Sequence, residues 1–457
     1  MIVKMKYQKI IKYLVSAVCT QPLHIGSASG DKEEVLVHPA DDMPLIQASS
    51  ISGVLRQYYM QTHDEAQTEK LFGAKRFEEG TNALEGASKV RFSDGRFCRE
   101  SLILELRPRV KINPETGTCD VSTKKGTNRQ LGNKFNMEYI GAGAVFGFSI
   151  YLYDDSFQDE LEEVLSAVHQ GNVQFGGQKS NGCGFMKLKG LKRKTFDMEQ
   201  REDRIKWADE EVLTDDEYED IFSKMNKVTK TTAAYEVIVT GSTEGELLVK
   251  SIAVQDYGKD TPDSVNIRNA AKEYIVPGSS LKGAVRNQME KIASYLGNSD
   301  IIEEIFGKTG DSPSEGKAGN IVFCDTVVGN QVDNDMARIK NRIHIDKFTG
   351  GVMHGSLFNE KNVSGKVEFH IVIYNRNHPD NTCGLLLLAI RDMAIGVMSV
   401  GGGYSVGKGM IVVDEIVIRD RIHQNEAKIK WKSSTITDEN EIISRCMKAV
   451  QSKGVSK

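Results

Sequence analysis

Carboxylates, cations and glycines meet in a few loops of this chain, in combinations that could grip or cut a phosphodiester. Asp31, Glu33 and Glu34 share one loop, and Asp256, Asp260 and Asp263 share another. A carboxylate there could hold a divalent cation against a phosphate. Loop carboxylates are also commonly just solvated, and spacing alone does not choose between the two. Gly176-Gly-Gln-Lys-Ser-Asn-Gly-Cys-Gly184 and Gly401-Gly-Gly-Tyr-Ser-Val-Gly-Lys-Gly409 are glycine-rich. Such loops let a backbone pass close to another chain with its N–H groups free for phosphates, through Gly176, Gly177, Lys179 and Ser180, and Gly401, Gly402, Ser405 and Lys408. The alternative is a tight turn in which glycine only supplies positive φ. Gly402 to Lys408 also fits seven positions of a phosphate-binding P-loop. Gly409 lacks the hydroxyl that holds Mg²⁺, Cys183 replaces the lysine in the other loop, and each loop leads into a strand, so an ATPase is disfavoured.

Two serine pairs, Ser49-Ser50 and Ser279-Ser280, precede helical patterns (Ile51, Val54, Leu55, Tyr58; Leu281, Val285, Met289), which places them as N-caps. The free N–H groups of such a helix start favour phosphate, and Arg56, Lys282 and Arg286 stand within a turn or two. An ordinary capped helix with a solvated basic face fits equally well. Two long excursions, Asn113 to Lys134 with Lys124, Lys125 and Arg129, and Lys347 to Asn359 with Met353 and His354, are either binding elements or disordered insertions.

These features come in duplicate. Ala48 to Arg56 returns as Gly278 to Arg286, Leu71-Phe-Gly73 as Ile305-Phe-Gly307, Val90 to Asp94 as Ile321 to Asp325, and Arg109 to Gly117 as Arg342 to Gly350. Glu138, Gly143 and Val145 answer to Glu360, Gly365 and Val367, and the two glycine loops answer to each other. The displacement is nearly constant at about 230 residues, which argues for one domain duplicated. Each copy opens with a strand (Tyr13 to Val18; Tyr235 to Val239) and continues with the helix after the serines and a strand ending at Asp94 or Asp325. A strand (Ala144 to Tyr153; Lys366 to Tyr374), a helix (Leu161 to Val168; Leu385 to Val397) and a final strand (Phe185 to Leu188; Met410 to Val413) follow. This is an α+β chain with the strand–helix–strand–strand–helix–strand order of a ferredoxin-like, RRM-like domain, twice over, with inserted strands. The expected boundaries are 1–191 for the first domain, 192–232 for a charged linker with short helices, 233–420 for the second domain and 421–457 for a tail whose last residues are disordered.

Composition is neutral on function. A net charge of -4 gives no global signature of nucleic-acid affinity, so such a role must rest on local basic loops. The odd, scattered set of 7 cysteines includes no CxxC, which disfavours a disulfide framework or structural zinc. With no leader-like N-terminus and no spanning run, a reducing cytoplasm is the expected home.

With these blocks in view, the sequence resembles the RAMP superfamily of CRISPR-associated proteins, and within it the backbone subunits of type III effector complexes. Leu23-His-Ile-Gly26 after the first strand, Gly278-Ser-Ser-Leu-Lys-Gly283, the Leu-Phe-Gly element and the glycine loops carry the resemblance, which covers both repeats and is similar to a type III-D-like tandem fusion. It implies a guide RNA gripped by His24 and the serine, glycine and basic positions named above, hairpins at Asn113 to Lys134 and Lys347 to Asn359 that wedge the guide–target duplex, and neighbouring effector subunits as partners. It also implies divalent-metal-dependent (Mg²⁺ or Mn²⁺) cleavage of complementary target RNA, with Asp31 and Asp263 as the catalytic and metal-holding aspartates. The first copy departs from the family motif at Ala48 and Ser52. The second has Val239-Thr-Gly-Ser-Thr-Glu-Gly245 in place of the His-Ile-Gly signature, leaving no counterpart of His24. Two other readings stay open: a non-catalytic RNA-binding scaffold, and a guide-processing endoribonuclease, for which His24 and His38 are the only near histidine pair in the first loop region.

Overall fold

A computed structural model describes residues 7–26, 34–74, 87–110, 112–113, 121–123, 130–132, 134–209, 214–225, 230–251, 262–308, 316–329 and 339–451. Asp31, Glu33, Lys124, Lys125, Arg129, Asp256 and Asp260, to which the sequence assigned roles, lie outside the described residues, as do 452–457 of the tail. The chain divides into two compact units. The first comprises Met1–Leu104, Tyr139–Lys179 and Cys183–Thr232, and the second Glu105–Glu138, Ser180–Gly182 and Ala233–Lys457. Two pieces of the first repeat, the excursion strand from Glu105 and the tip of the glycine loop, thus belong to the second unit.

In the first unit the strand Lys9–Cys19 lies between Met186–Asp197 and Val145–Leu152, antiparallel to both. Val90–Phe92 and Gly95–Phe97 flank Val145–Leu152 on its other side. Ile11, Tyr13, Val15, Ala17 and Cys19 are buried at alternate positions, as the period of two in a strand requires. Each such aliphatic side chain withdrawn from water contributes about 1.5–3 kcal/mol. Helix α1 (Ala48–Thr62) buries Ile51, Leu55, Tyr58 and Tyr59, and the short α2 (Glu65–Phe72) adds Leu71 and Phe72. Helix α3 (Gln158–His169) buries Leu161, Val164, Leu165 and Val168 in the same core. The final strand continues to Asp197, well past the Leu188 expected from sequence, because it stays paired with Lys9–Cys19 across a register shift at Ser16 and buries Leu191 and Phe196 in two different clusters. Helix α4 (Arg201–Ala208) follows, with Trp207 edge-on to Phe196. Glu219–Asp220 adds a short strand pair.

The second unit repeats the plan. Ala233–Glu244 pairs with Lys366–Tyr374 and Met410–Asp420, and Ile321–Phe323 flanks Lys366–Tyr374. Helices α5 (Gly278–Tyr295), α6 (Ile301–Phe306) and α7 (Pro379–Ala394) cover the core. The duplication extends to side-chain packing. Phe72 stacks on Phe92 with 6° between ring planes, and Phe306 stacks on Phe323 with 3°. The segment after Asp420, expected as a tail, is folded as far as residue 451: Asn425–Lys430 and Thr435–Thr437 extend the sheet. Helix α8 (Ile442–Gln451) buries Ile442, Cys446 and Val450 in the same core, chiefly against α7. Ile442, Cys446 and Val450 fall at i, i+4 and i+8, the spacing of one helical face, a signal the sequence reading left unused.

Candidate nucleic-acid interface

The two serine pairs are not N-caps. Helices α1 and α5 begin one residue earlier, at Ala48 and Gly278, after Gln47 and Pro277, neither of which makes a side-chain cap. The cap comes from the strand-end aspartates: Ala48 N–H donates to Asp94 Oδ1 at 2.7 Å, and Gly278 N–H donates to Asp325 Oδ1 at 2.8 Å. A carboxylate at the first N–H satisfies an orphan donor and favours the positive end of the helix dipole. Ser49, Ser50, Ser279 and Ser280 occupy the first turn. The matching aspartates were visible in the aligned repeats, but their reach to the helix start is a tertiary fact.

Among the basic positions, the second unit brings together Lys282, Arg286 and Ser180. Lys282 Nζ donates to Ser180 Oγ at 2.8 Å. Burial, together with the charges of Arg286 and Arg109, pushes the ammonium down from the ordinary lysine range to about 8. Arg286 also bonds Glu290 Oε1 at 2.8 Å and lies over the Phe306 ring. Arg109 is the member of this cluster that the sequence reading did not assign. Its position in the Arg109 to Gly117 block was the available signal. A half-buried ammonium held against two guanidinium groups is a poor arrangement for an apo surface and a good one for an anion, which removes the mutual repulsion.

Other assigned residues are engaged elsewhere. Arg56 Nη1 donates to the Gly73 carbonyl at 2.8 Å, tying α1 to the end of α2. Lys408 is 3% exposed; its ammonium is bonded to Glu360 and, at 3.1 Å, to Asn362 Oδ1. It links the second glycine loop to the base of a hairpin rather than facing solvent. Ser405 on that loop is exposed, beside Tyr404 and Val406, which are exposed as well.

The glycine loops obey a shared rule of close backbone approach. Gly177 N–H donates to the His24 carbonyl, and Gly402 N–H donates to the Leu248 carbonyl, both at 2.8 Å. A Cβ on Gly176 would stand 2.3 Å from the His24 oxygen, and one on Gly401 would stand 2.6 Å from the Leu248 oxygen. The structural counterpart of Leu23-His24 is therefore Leu247-Leu248, where the bridges Leu23 to Ile140 and Leu247 to Val363 also correspond. Alignment against Val239 to Gly245 was out of register. The second unit still has no histidine here, because Leu248 takes that place. His24 itself is buried, its ring 5.6 Å from that of Tyr139. Lys179 sits at the loop's short helical turn and its carbonyl accepts from Gln174 Nε2.

The second excursion is an antiparallel hairpin, Ile339–Ile345 with Val352–Lys361, larger than the expected Lys347 to Asn359. Phe348 at its tip is 96% exposed, held on a turn in which Asp346 Oδ1 accepts the Phe348 and Thr349 N–H groups. In the first excursion Val121–Thr123 pairs with Gln130–Gly132. Asp263 lies beside the larger hairpin and accepts Asn359 N–H through Oδ2 at 2.7 Å. Among the described residues, no group of three His, Cys, Asp or Glu side chains could hold a metal, and no helix is long and apolar enough to cross a membrane.

No curated protein matches the sequence. A solved chain from "Cryo-EM structure of the Type III-B Cmr-beta bound to cognate target RNA" aligns at 16% identity with a TM-score of 0.31, over 40% of this chain. The alignment spans 61% of that chain's own length. The profile of the RAMP superfamily matches two tandem stretches, residues 17–187 and 257–412, each running from the first strand or the loop after it to the glycine loop. With well over half its length matched in duplicate, the chain belongs to the RAMP superfamily.

Proposed function

We propose that this chain is a guide-RNA-binding backbone subunit of a type III CRISPR effector complex, working in the cytoplasm on complementary target RNA beside other effector subunits. The observation that carries the reading is the Lys282, Arg286 and Arg109 cluster at the first turns of α5, in a chain of the RAMP superfamily. The module is read as ferredoxin-like. In each sheet the last core strand lies beside the first, the first beside the third, and the third beside the second, the order that this fold uses. Residues 1–191 and 233–420 are read as the two fused modules. The exposed hairpin with Phe348 at its tip supplies an apolar wedge of the kind that unstacks bases.

Cleavage of target RNA is assigned to Asp31 and Asp263. Asp263 suits a divalent metal at a phosphodiester: Asn359 N–H orients one oxygen, and Mg²⁺ at such sites takes one or two carboxylates plus phosphate oxygens. When bound, the metal offsets charge developing on the phosphate. The chain's own part is to hold the RNA backbone so that a 2′-oxygen lines up with phosphorus; its bond to phosphorus forms as the P–O5′ bond breaks. A non-catalytic scaffold is the second reading, favoured by Asp263 serving as the tether between its loop and the hairpin.

Fluorescence anisotropy with a guide-like RNA tests binding. Lys282→Met is expected to weaken it by about tenfold, as loss of one charge-assisted phosphate contact should. Unchanged affinity would remove the basis of the reading. In the assembled complex with Mg²⁺, Asp31→Ala and Asp263→Ala should each delete one product band from a guide-matched RNA. Persistence of both bands in the double variant selects the scaffold.

A further inference from the structure

The sheet of the first unit has a second face, turned away from α1 and α3. Tyr13 O–H donates to Glu162 on α3, and Arg193 Nη1 donates to the same oxygen, so the residues next to them along each strand point the other way. That face carries four residues directly opposite one another on successive strands: Lys194, Lys12, Tyr151 and Arg91. The Lys12 ammonium lies 5.5 Å from the centre of the Tyr151 ring, and Phe196 and Tyr153 add two further rings on the same side. Like charges set opposite one another cost a sheet stability, so the fold itself gives no reason for three cations in one row.

The second unit shows what the same row looks like when it is only structural. Both first strands shift register against Met186–Asp197 or Met410–Asp420, between Ser16 and Ala17 and between Thr240 and Gly241, and counting from these points makes Glu236 the counterpart of Lys12. The equivalent row is Arg419, Glu236, Val372 and Val322. There one cation meets one carboxylate, with Arg419 Nη1 at 3.3 Å from Glu236 Oε2, and two valines follow.

In the first unit α4 and the turn Asp215–Glu217 cover the row. Trp207 stands edge-on to Tyr151 at 5.6 Å and to Phe196 at 5.3 Å. Glu217 is bonded to Lys206 of α4, and Lys206, then Lys194, hold its carboxyl below the ordinary carboxylate range. A ring against the tyrosine and a carboxylate beside the lysine imitate a base and a phosphate. Helix α4 is a weak cover. None of its 8 residues is buried, and of its two large apolar side chains only Trp207 packs, since Ile205 is 53% exposed. A helix so short depends on packing for its stability.

We propose that this face binds single-stranded nucleic acid, with a base stacked on Tyr151 in place of Trp207 and phosphates held by Lys12, Lys194 and Arg91, and that α4 is the lid the ligand displaces. Aromatic rings flanked by cations suit single strands, whose bases are free to stack on a protein ring. Lys12 is 6% exposed, so a phosphate reaches it only once the cover moves.

The site does not depend on the reading at Lys282, so the test uses the full chain carrying Lys282→Met, with short fluorescein-labelled oligouridylate and oligothymidylate as probes. Trp207→Ala should tighten binding by about tenfold, and adding Lys12→Met and Arg91→Gln should cancel most of that gain. Glu217→Gln, which leaves the apolar contacts in place, should shift affinity in the same direction by a smaller factor. Trp431→Phe leaves Trp207 as the sole tryptophan, and its emission should move to longer wavelength as probe saturates the chain. Tightening with the ribose probe alone assigns the site to RNA; equal tightening with both assigns it to single strands of either sugar. Binding that neither Trp207→Ala nor Glu217→Gln improves, a gain that survives Lys12→Met with Arg91→Gln, or Trp207 emission that stays fixed at saturation overturns the proposal. Guide-like RNA affinity that is indifferent to Lys282→Met overturns the functional reading and not this site.

Discussion

Lys282 concentrates the chemistry of the candidate interface in one titration. Its ammonium is pushed down to about 8 by burial and by Arg286 and Arg109, against an unfolded value near 10.5. A bound phosphate would reverse this, so the complex holds a proton that the free protein loses as pH rises through 8. RNA affinity should therefore be flat below pH 8 and fall by at most about tenfold per unit above it. The fall should vanish in Lys282→Met. For stability the sign is opposite. Between 8 and 10.5 the unfolded chain binds more protons than the folded one, so the cost of the buried charge is full below pH 8 and is relieved as pH rises through that window. Anisotropy and thermal melts across pH 7 to 10 would read both. Lys408 illustrates the contrast: it is a lysine in a motif with a phosphate-binding look, yet its charge is bound to Glu360 and Asn362.

At the scale of elements, the glycine loops act first as fasteners of the fold. A Cβ on Gly184 would stand 1.9 Å from the Phe175 carbonyl oxygen and one on Gly409 would stand 2.1 Å from that of Val400, and both glycines have positive φ. Gly184 N–H and Gly409 N–H also donate to Pro22 O and Glu246 O, closing each loop onto the segment after the first strand. Gly184→Ala and Gly409→Ala should therefore each cost at least about 1–3 kcal/mol, from strain alone. Denaturant titration should show equal losses in the two, since the geometry is the same. Gly407→Ala, with open space around it, keeps only the φ penalty and should cost less than either.

For the whole molecule, a net charge of -4 means that any polyanion is held by a local concentration of cations against an unfavourable average. If Lys282, Arg286 and Arg109 each neutralise one phosphate, binding of single-stranded RNA should follow log salt with a slope of about −2, and with Arg286 kept by Glu290 the slope falls to about −1.4. A slope near zero would point to apolar contacts as the main source of affinity. Such a slope is measured by repeating the anisotropy titration from low to high salt.

Much of this was readable before folding, and the limits are instructive. The first strands and Lys366–Tyr374 fell where alternation put them, because a half-buried strand must alternate. Lys282, Arg286 and Ser180 were singled out from two motifs about 100 residues apart in sequence, and the fold joins them through one hydrogen bond. Arg107 was not assigned, since nothing local marks a cation on an excursion strand as the partner of Asp325, 218 residues away. The helix caps were misassigned to serines for the same reason: the true caps, Asp94 and Asp325, lie more than 40 residues away in sequence.

Sequence by itself determined that one module occurs twice, with strands and helices in the same order, because duplication and periodicity are written along the chain and need no neighbours to be read. Tertiary structure alone decided which charges are spent and which remain. Lys408 and Arg56 are committed to internal acceptors while Lys282 is pressed against other cations. The structure alone also revealed that the strand at Glu105 reaches Ala270 and Asp325 in the second unit. The reason is physical: a side chain's charge and type are local, but its partner is chosen by packing between segments distant in sequence.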